Sequence, residues 1–394
     1  MTRTPQRARA IPPLLKDLNE RTVLETIRVA APISRAEISR RAGISKPTVS
    51  LALQSLLDAG LVREVEHDPG RPSYGAVFFE PVPEAALVLG LDLGARFVRG
   101  AICDLRGELR AREDVELRRK EFGYVVDALA ALRESLYDET GLPDAPIDTT
   151  VVGVPGVVEQ DTGKVFLTHF TALEGRALGP ALEERLGLEL TLDNDVNLAA
   201  VGEHWRGVAH DVDDFVFLSI GTGLGAGIVL QGELHRGRNG AAGELDLVAA
   251  GFDREIDPSA AAVSELARVA AQTAARDTSM VPPFEAREIF LAARDGDRAA
   301  QAVVEEVAKR IALHIVPVAA VTDVELVVLG GGLGTNGDLL LEPVRGLLAE
   351  WLPYPPQVEV SSLGEAAVLT GALAVGLRSA LDNVFVNRPR AARA

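Results

Sequence analysis

The sequence predicts an α/β protein in which an N-terminal winged helix-turn-helix precedes a larger domain of two lobes. Capped helices and two strand-like runs fill the first 80 residues, and apolar strands alternate with helices after them. The second part also contains an internal repeat. The predicted domains are 1–80 and 81–394, with a first lobe of about 85–200 plus 364–380 and a second lobe of about 201–363.

Length and composition suit a globular protein of two or three domains. Of the 394 residues, 47% are hydrophobic and 25% are charged. We find neither a run of 18 uncharged apolar residues nor the apolar core of a signal peptide, so we expect no membrane span and a cytoplasmic location. The single cysteine, Cys103, excludes an intramolecular disulfide.

Charge is divided unevenly along the chain. The net charge of −17 argues against nucleic-acid binding when taken as a whole. Residues 1–75, however, carry 12 Lys/Arg against 8 Asp/Glu, whereas residues 76–394 carry 28 against 49. A basic first domain on an acidic body is the asymmetry expected if only the first domain meets DNA.

Three helices and a hairpin are predicted in the first domain. Residues 20–30 show a helical apolar stripe, and Ser34 to Glu37 form a capping box for a short helix that ends at Gly43. Ser45 caps a third helix that runs to Gly60. The runs LVREVE and YGAVFFE then flank the turn-rich HDPGRPS, as in the wing of a winged helix.

The third helix is the predicted recognition helix, whose N-terminal part enters the major groove. A lysine there can reach phosphate or guanine, a glutamine can pair with adenine, and a wing-tip arginine can enter the minor groove. The alternative is a small helical domain with a solvated polar face. The candidate DNA-binding residues are Lys46, Thr48, Ser50, Gln54 and Arg71.

Two segments of the second domain resemble each other. LVLGLDLGARFVRGAICDLRGELRA and FVFLSIGTGLGAGIVLQGELHRG each read as strand, glycine turn, strand, Gly-Glu-Leu turn and strand, with Gly107 and Gly232 at equivalent points. Two copies of one β-rich unit indicate two related lobes with a cleft between them. An apolar helix, 364–377, is expected to close the domain.

A polar group follows the predicted strand LELTL, at Asp193, Asn194 and Asp195. Carboxylates and amides can bridge vicinal hydroxyls, so the group suits a sugar. By itself, it equally suits a polar turn before a helix.

Residues of about 15 to 380 resemble a ROK-family repressor, from the family that includes xylose and N-acetylglucosamine repressors alongside bacterial glucose kinases. The most specific stretch is LSIGTGLGAGIVLQGELHRGRNGAAGELDLV, supported by GVPGVVEQDTGKV, LTLDNDVNLAAVGEHW and ELVVLGGGLG. The resemblance implies a two-lobed, actin-like, sugar-kinase-like body. It also implies that Asp195 matches the kinases' general base, that Asn194 orients the sugar and that Glu244 is a further sugar ligand.

The chain departs from the family's kinases at three places. Their Asp-x-Gly-Gly-Thr-Lys loop reads Asp92-Leu93-Gly94-Ala95-Arg96-Phe97 here, so the hydroxyl and the lysine are missing. A leucine, Leu247, stands in place of the family's zinc- and sugar-binding histidine, and AAGFDREIDPSAAA contains none of the zinc-site cysteines. SIGTGLGAG and LGGGLG match nucleotide-facing loops, kept either for a nucleotide or as scaffolding.

The sequence therefore predicts a DNA-binding repressor of sugar genes whose operator binding is modulated by a sugar. The predicted partners are an inverted-repeat DNA operator, a small sugar and a second copy of the chain, as a homodimer or tetramer. No catalytic residue, cofactor or metal is predicted. Two alternatives stay open: a sugar kinase with an added DNA-binding domain, and a repressor controlled by a protein partner or by no ligand.

Overall fold

The computed structural model describes residues 12–65, 76–143, 145–248, 255–274 and 277–386. An N-terminal winged helix-turn-helix precedes a larger α/β body with two five-stranded sheets, so the predicted fold class is confirmed.

The N-terminal domain, hereafter the head, packs three helices against a small antiparallel sheet of order β1-β3-β2. Its core is formed by apolar residues of all three helices, including Val23, Ile38 and Leu56. The elements are α1 (Pro12–Ala30), β1 (Ile33–Ser34), α2 (Arg35–Ala42), α3 (Lys46–Asp58), β2 (Val62–Val65) and β3 (Phe78–Pro81).

The predicted serine caps of the head's helices are present, whereas the carboxylate of Glu37, predicted to complete a capping box, pairs with Arg40 and Arg41. Ser34 Oγ accepts a hydrogen bond from Glu37 N at 3.3 Å, and Ser45 Oγ accepts one from Thr48 N at 3.4 Å. Gly43 ends α2 with φ of 66°, in the left-handed region that glycine tolerates best. These short-range bonds fix the turn between α2 and α3, and with it the position of the recognition helix.

Two features of the head differ from the prediction. Helix α1 begins at Pro12, eight residues before the predicted start. The apolar pattern did not reveal these first turns, because Leu15 and Leu18 are about half exposed and do not extend the buried stripe. The two-residue strand β1 was not predicted. The proposed wing tip, with Arg71, lies outside the described residues.

The body begins with a short 3-10 turn, followed by the first sheet and the helices beside it. These elements are β4 (Leu87–Leu93), β5 (Phe97–Asp104), β6 (Leu109–Glu116), α4 (Phe122–Glu139), β7 (Ile147–Val154), β8 (Val157–Glu159), β9 (Lys164–Phe166), β10 (Arg176–Ala177), α5 (Leu178–Leu186), β11 (Thr191–Asn194) and α6 (Asp195–Arg206).

The remaining elements form the second sheet, its helical cover and the closing helix. They are β12 (Phe215–Ile220), β13 (Leu224–Leu230), β14 (Glu233–Leu234), α7 (Ala260–Ala274), α8 (Ala286–Arg294), α9 (Arg298–Thr322), β15 (Leu326–Gly330), α10 (Gly331–Gly334), α11 (Gly337–Trp351), β16 (Gln357–Val360) and α12 (Ala367–Val386).

The internal repeat corresponds to two sheets of the same connectivity. Their orders are β11-β7-β4-β5-β6 and β14-β13-β12-β15-β16. In each sheet the first three strands of the repeat are antiparallel, and two later strands add in parallel beside the first. Gly107 and Gly232 occupy equivalent turns with φ of 81° and 73°. The similarity predicted from the two segments is therefore present in the structure.

Helices α6 and α12 lie between the two sheets. Helix α12 packs on β4 and β7 of the first sheet, α6 packs on β12 and β13 of the second, and the two helices pack on each other. Their backbones meet at two glycines: a Cβ on Gly202 would collide with Ala367 O, and one on Gly371 would collide with Leu198 O. The pair therefore behaves as one closely packed unit.

The closing helix is longer than the predicted 364–377. It follows a 3-10 turn, Gly364–Ala366, and continues to Val386. Within the part of the chain that the structure describes, Gly364–Asn383 is the one stretch long and apolar enough to cross a membrane. Its contacts with α6, β4 and β7 are those of a core helix.

Candidate functional site

The first candidate site lies on helix α3. Lys46 and Gln54 are exposed, whereas Thr48 and Ser50 are half-buried. Gln54 Nε2 donates to Asp58 Oδ1 at 2.8 Å, so the carboxylate of Asp58, on the same helix, holds the side-chain amide. Lys46, at the first helical position, is left on the surface as a cation.

The two hydroxyls of this surface have structural partners. Thr48 Oγ1 lies 2.8 Å from Ser45 Oγ within the cap, and Ser50 Oγ donates to Lys46 O at 2.9 Å. Sequence reasoning missed Arg35, which donates to Ser50 Oγ at 3.3 Å and brings a second cation beside α3. It also missed Leu51, which is 74% exposed on this helix. Arg35 was assigned only to the capping box, so its position beside α3 had no sequence signal.

The second candidate site begins where β11 passes into α6. Asn194 is the N-cap of α6: its Oδ1 accepts from Asn197 N, and its Nδ2 donates to Gly156 O, both at 3.0 Å. Asn194 thus joins the helix to the turn after β7. These bonds leave one amide hydrogen and one lone pair for a ligand.

Asp195, the first residue of α6, carries an unusual carboxyl group. Its Oδ1 accepts a hydrogen bond from Val196 N at 2.8 Å. Burial, together with the negative charge of Asp92, raises its pKa to about 7. Burial and the neighbouring Asp246 likewise raise the pKa of Glu244. The charge of Glu244 also raises the pKa of Asp195, so the two predicted sugar ligands, although distant in sequence, lie in the same region of the body.

Asp92, near the end of β4, is a third carboxyl group in the region of Asp195 and Glu244. It is 4% exposed, and burial raises its pKa to about 6, against the opposing effect of Arg99. Arg99 Nη1 lies 3.4 Å from Asp92 Oδ2, and the same guanidinium contacts Glu365 at 3.1 Å and Asp114 at 3.6 Å. Sequence reasoning treated Asp92 only as a remnant of a kinase loop and did not identify Arg99.

One ion pair and one histidine–aspartate contact connect the halves of the body around this region. Arg236, after β14, binds the buried Asp193 of β11 with Nη2 2.6 Å from Oδ2. His169, after β9, lies with Nε2 3.4 Å from Oδ2 of Asp246. Their partners are 43 and 77 residues apart in sequence, so local spacing did not indicate either pair. We call the part of the body that contains Asp92, Asp193, Asp195, Glu244 and His169 the cleft.

The glycine loops are closely packed against their neighbours. A Cβ on Gly331 would approach Ile220 O at 2.5 Å, and one on Gly223 would approach His169 Nε2 at 2.5 Å. Packing against the backbone and a φ of 73° therefore require glycine at Gly331, whereas at Gly223 the exposed His169 side chain could move aside, and Gly332 has open space around it. In the described ranges, no three or more His, Cys, Asp or Glu side chains form a group suited to a metal.

Comparison with protein families assigns both domains. The model of the ROK family matches residues 88–378, and that of the MarR family matches residues 17–71. The matches therefore cover the body almost completely and most of the head.

Three curated relatives differ in how much of the chain they match. The xylose repressor of Caldicellulosiruptor bescii is 26% identical over 394 residues, covering 94% of this chain and 98% of that protein. The DNA-binding dual regulator NagC of Escherichia coli is 27% identical over 59% of this chain and 57% of its own length. The glucokinase of Halalkalibacterium halodurans is 28% identical over 65% of this chain and 83% of the enzyme.

Two solved structures extend the comparison. A ROK family transcriptional regulator, a homologue of the E. coli MLC protein, has a TM-score of 0.79 at 24% identity and covers 94% of this chain and 98% of its own. The ROK glucokinase of Streptomyces griseus, in complex with glucose and AMPPNP, has a TM-score of 0.64 at 25% identity and covers 74% and 99%. Because the family model spans 88–378, more than half of the 394 residues, the chain belongs to the ROK family.

Proposed function

We propose that this chain is a DNA-binding transcriptional repressor whose affinity for its operator is controlled by a sugar in the cleft. The observation that carries the proposal is the joining of a winged helix, with Lys46 exposed at the start of α3, to a complete ROK body. Relatives that match this chain almost end to end are named xylose repressors, whereas the glucokinase match covers 65% of the chain.

The head is proposed to bind double-stranded DNA through Lys46, Gln54 and Arg71, with Thr48 and Ser50 in supporting contact. Exposed Lys46 and the neighbouring Arg35 supply the positive charge that phosphate contacts require. A twofold homodimer would present two recognition helices to the half-sites of an inverted repeat, and a tetramer would be a pair of such dimers.

The cleft is proposed to bind the sugar through Asn194, Asp195 and Glu244. With a pKa of about 7, the Asp195 carboxyl is partly protonated at neutral pH, so it can donate to one hydroxyl or accept from another. Leu247, in place of a polar ligand of the family, leaves one hydroxyl of a hexose without that partner. A pentose such as D-xylose is therefore the first effector to test.

A sugar kinase with an added head is the first alternative. The pairing of Asp92 with Arg99 argues against it, because that guanidinium neutralises the carboxylate of the loop where kinases of the family handle phosphate. We therefore propose that the protein is not an enzyme and needs no cofactor. An ATP-consumption assay is still needed to test for kinase activity, because the chain is also similar to glucokinases.

The second alternative is a repressor controlled by a protein partner or by no ligand. One experiment separates the proposed function from this alternative. Duplexes selected by the full-length protein from random DNA are used to measure operator affinity with and without D-xylose, D-glucose, N-acetylglucosamine and a set of disaccharides. Release by one sugar supports the proposal. Specific binding that no sugar changes supports the second alternative, and absence of specific DNA binding rejects a repressor altogether.

A further inference from the structure

Helix α6 extends from the cleft to the side of the body that faces the head. It starts with Asp195 at the cleft and ends at Arg206, a length of about 18 Å for 12 residues. At that far end, Arg206 Nη2 donates to Gly107 O at 3.0 Å, and its guanidinium lies 4.0 Å from the centre of the Trp205 ring. A displacement of α6 would therefore act, through Arg206, on the turn that contains Gly107.

This turn, Leu105–Gly107, is rigidly built. It connects β5 to β6, and the carboxylate of Asp104, which is fully buried, holds it from within. Asp104 Oδ1 accepts from Arg106 N at 2.8 Å and from Glu108 N at 3.2 Å, while Oδ2 accepts from Arg110 Nε at 2.7 Å. Because three hydrogen bonds hold the turn, we expect it to move as a rigid unit and not to deform.

The head is attached to the same turn. Arg28 of α1 donates to Arg106 O at 3.5 Å, and Arg106 pairs with Glu80 of β3. Glu80 is shared with Arg63 of β2, at 2.6 Å. Burial opposes ionisation of Glu80, but the two arginines outweigh it and lower its pKa, so the pair persists at neutral pH. One turn of the body thus holds the first helix and the wing sheet of the head.

Helix α12 makes a second connection. Near its C-terminal end, Leu381 packs against the apolar core of the head, and Asp382 lies 2.5 Å from Arg21 of α1. Because α6 and α12 meet backbone to backbone at Gly202 and Gly371, a movement of one helix carries the other.

We propose that α6 and α12 together couple the occupancy of the cleft to the position of the head, with the Leu105–Gly107 turn as the contact through which α6 acts. The inference rests on the proposed function, in which a sugar binds at the start of α6. Since α6 packs on the second sheet and α12 on the first, a sugar that changes how the sheets approach each other moves the pair. The sugar must bind the two arrangements with different affinity.

Two substitutions remove the proposed link without touching the cleft. Arg206→Met keeps the aliphatic packing on Trp205 and removes the donor to Gly107 O, and Arg106→Met removes the pair with Glu80. Arg185→Met is the matched control, because Arg185 makes an ion pair at 3.0 Å with Asp127 on the surface of the body, away from the head. Binding of the selected duplex is measured by fluorescence anisotropy, and sugar binding by calorimetry.

For wild type and the control, saturating sugar lowers operator affinity by a factor of about ten, a typical coupling between two sites. In Arg206→Met and Arg106→Met this factor falls to about three or less, while sugar affinity without DNA stays within about twofold. By reciprocity, the operator must weaken sugar binding by the same factor in each protein. Sugar binding with undiminished release in both variants overturns the Leu105–Gly107 turn as the contact through which α6 acts, and leaves the proposed function intact. A panel in which no sugar binds overturns both.

Trp205 offers a readout that needs no change at the link. The chain has two tryptophans, so in Trp351→Phe all indole emission comes from Trp205, beside Arg206 and Gly107. Titration with the bound sugar should change this emission with the midpoint found by calorimetry. An emission that stays constant while the cleft fills shows that α6 does not respond, and it refutes the coupling.

Discussion

Arg99 of β5 and Asp92 of β4 stand opposite each other in the first sheet, with Nη1 3.4 Å from Oδ2. The same guanidinium contacts Glu365, just before α12, at 3.1 Å. The guanidinium of Arg99 thus lies beside Asp92, the aspartate of the loop that resembles the kinases' phosphate loop. That loop also lacks the kinases' hydroxyl and lysine, since Arg96 and Phe97 stand at those two positions.

We therefore expect no sugar phosphorylation above the buffer rate. Phosphoryl transfer depends on positioning and charge stabilisation of the γ-phosphate, and a base such as Asp195 has nothing to activate without them. A coupled ADP assay over a panel of pentoses and hexoses checks this. Turnover well above buffer that disappears in Asp195→Ala would place the chain among the enzymes.

DNA binding should depend on the cations of the head. Lys46→Ala and Arg71→Ala are each expected to weaken operator binding by about tenfold. Each should also lower the slope of log affinity against log salt by about one, because a cation that neutralises one phosphate releases about one counterion. If Arg71 enters the minor groove, its removal should weaken binding most on A·T-rich flanks. Anisotropy titrations at three salt concentrations measure both effects.

Lys120→Ala, an exposed lysine of the body, is the control for these variants and should bind as wild type does. Unchanged affinity of both Lys46→Ala and Arg71→Ala would remove the assignment of helix α3 and the wing to the DNA interface.

The stability of the protein should fall as the pH rises through the range in which its cleft carboxyls ionise. Burial raises the pKa of Asp92 to about 6 and that of Asp195 to about 7, above their ordinary 3.8. The folded state then binds these protons more tightly than the unfolded state, so their stabilising effect is present at low pH and is lost between about pH 4 and pH 7.

Asp195→Asn removes one of these groups and keeps an oxygen for Val196 N. We expect its Tm to exceed that of wild type by about 3 °C at pH 8, with the difference shrinking toward pH 5. Asp127→Asn, at an exposed position, should show no such pH-dependent gain. Parallel Tm curves for Asp195→Asn and wild type from pH 5 to pH 8 would contradict a raised pKa.

Local signals predicted the head, whereas contacts between distant residues escaped them. Ser34, Ser45 and Gly43 act within four residues of themselves, so their spacing in the sequence reveals the caps and the turn. The pair of Arg99 with Glu365 joins residues 266 positions apart, and no periodicity or motif records it.

The cleft was predicted in part for the same reason. Asn194 and Asp195 follow a strand and begin a helix, which a sequence can show, and Glu244 came from the family resemblance. Asp92 joins them because β4 and β11 flank β7 in one sheet, with Asp92 and Asp193 both opposite Gly153. His169 joins them through its contact with Asp246, 77 residues along the chain. Their roles depend on burial and on charges from other strands, which a single chain read in order does not display.

The response to the effector should depend on the charge of Asp195. A repressor needs no catalytic base, but the same carboxylate can accept a hydrogen bond from a sugar hydroxyl, worth about 1.5–3 kcal/mol when charge-assisted. Asp195→Asn keeps the shape and removes the charge. It should leave operator binding intact, because Asp195 lies at the cleft end of α6, and weaken the binding of the sugar that releases wild type by roughly tenfold or more.

The decisive measurement is operator release over a sugar titration, with wild type, Asp195→Asn and the surface control Asp127→Asn side by side. The release curve of Asp195→Asn should shift to higher sugar concentration, while its operator affinity without sugar matches that of wild type. Unchanged operator affinity shows that the head is undamaged and that the shift comes from a lost contact with the sugar. A mutant that responds at the same concentration means that Asp195 does not touch the effector. Since Asp195, Asn194 and Glu244 are the polar groups retained at this point of the cleft, that result would also reject the cleft as the sugar-binding site.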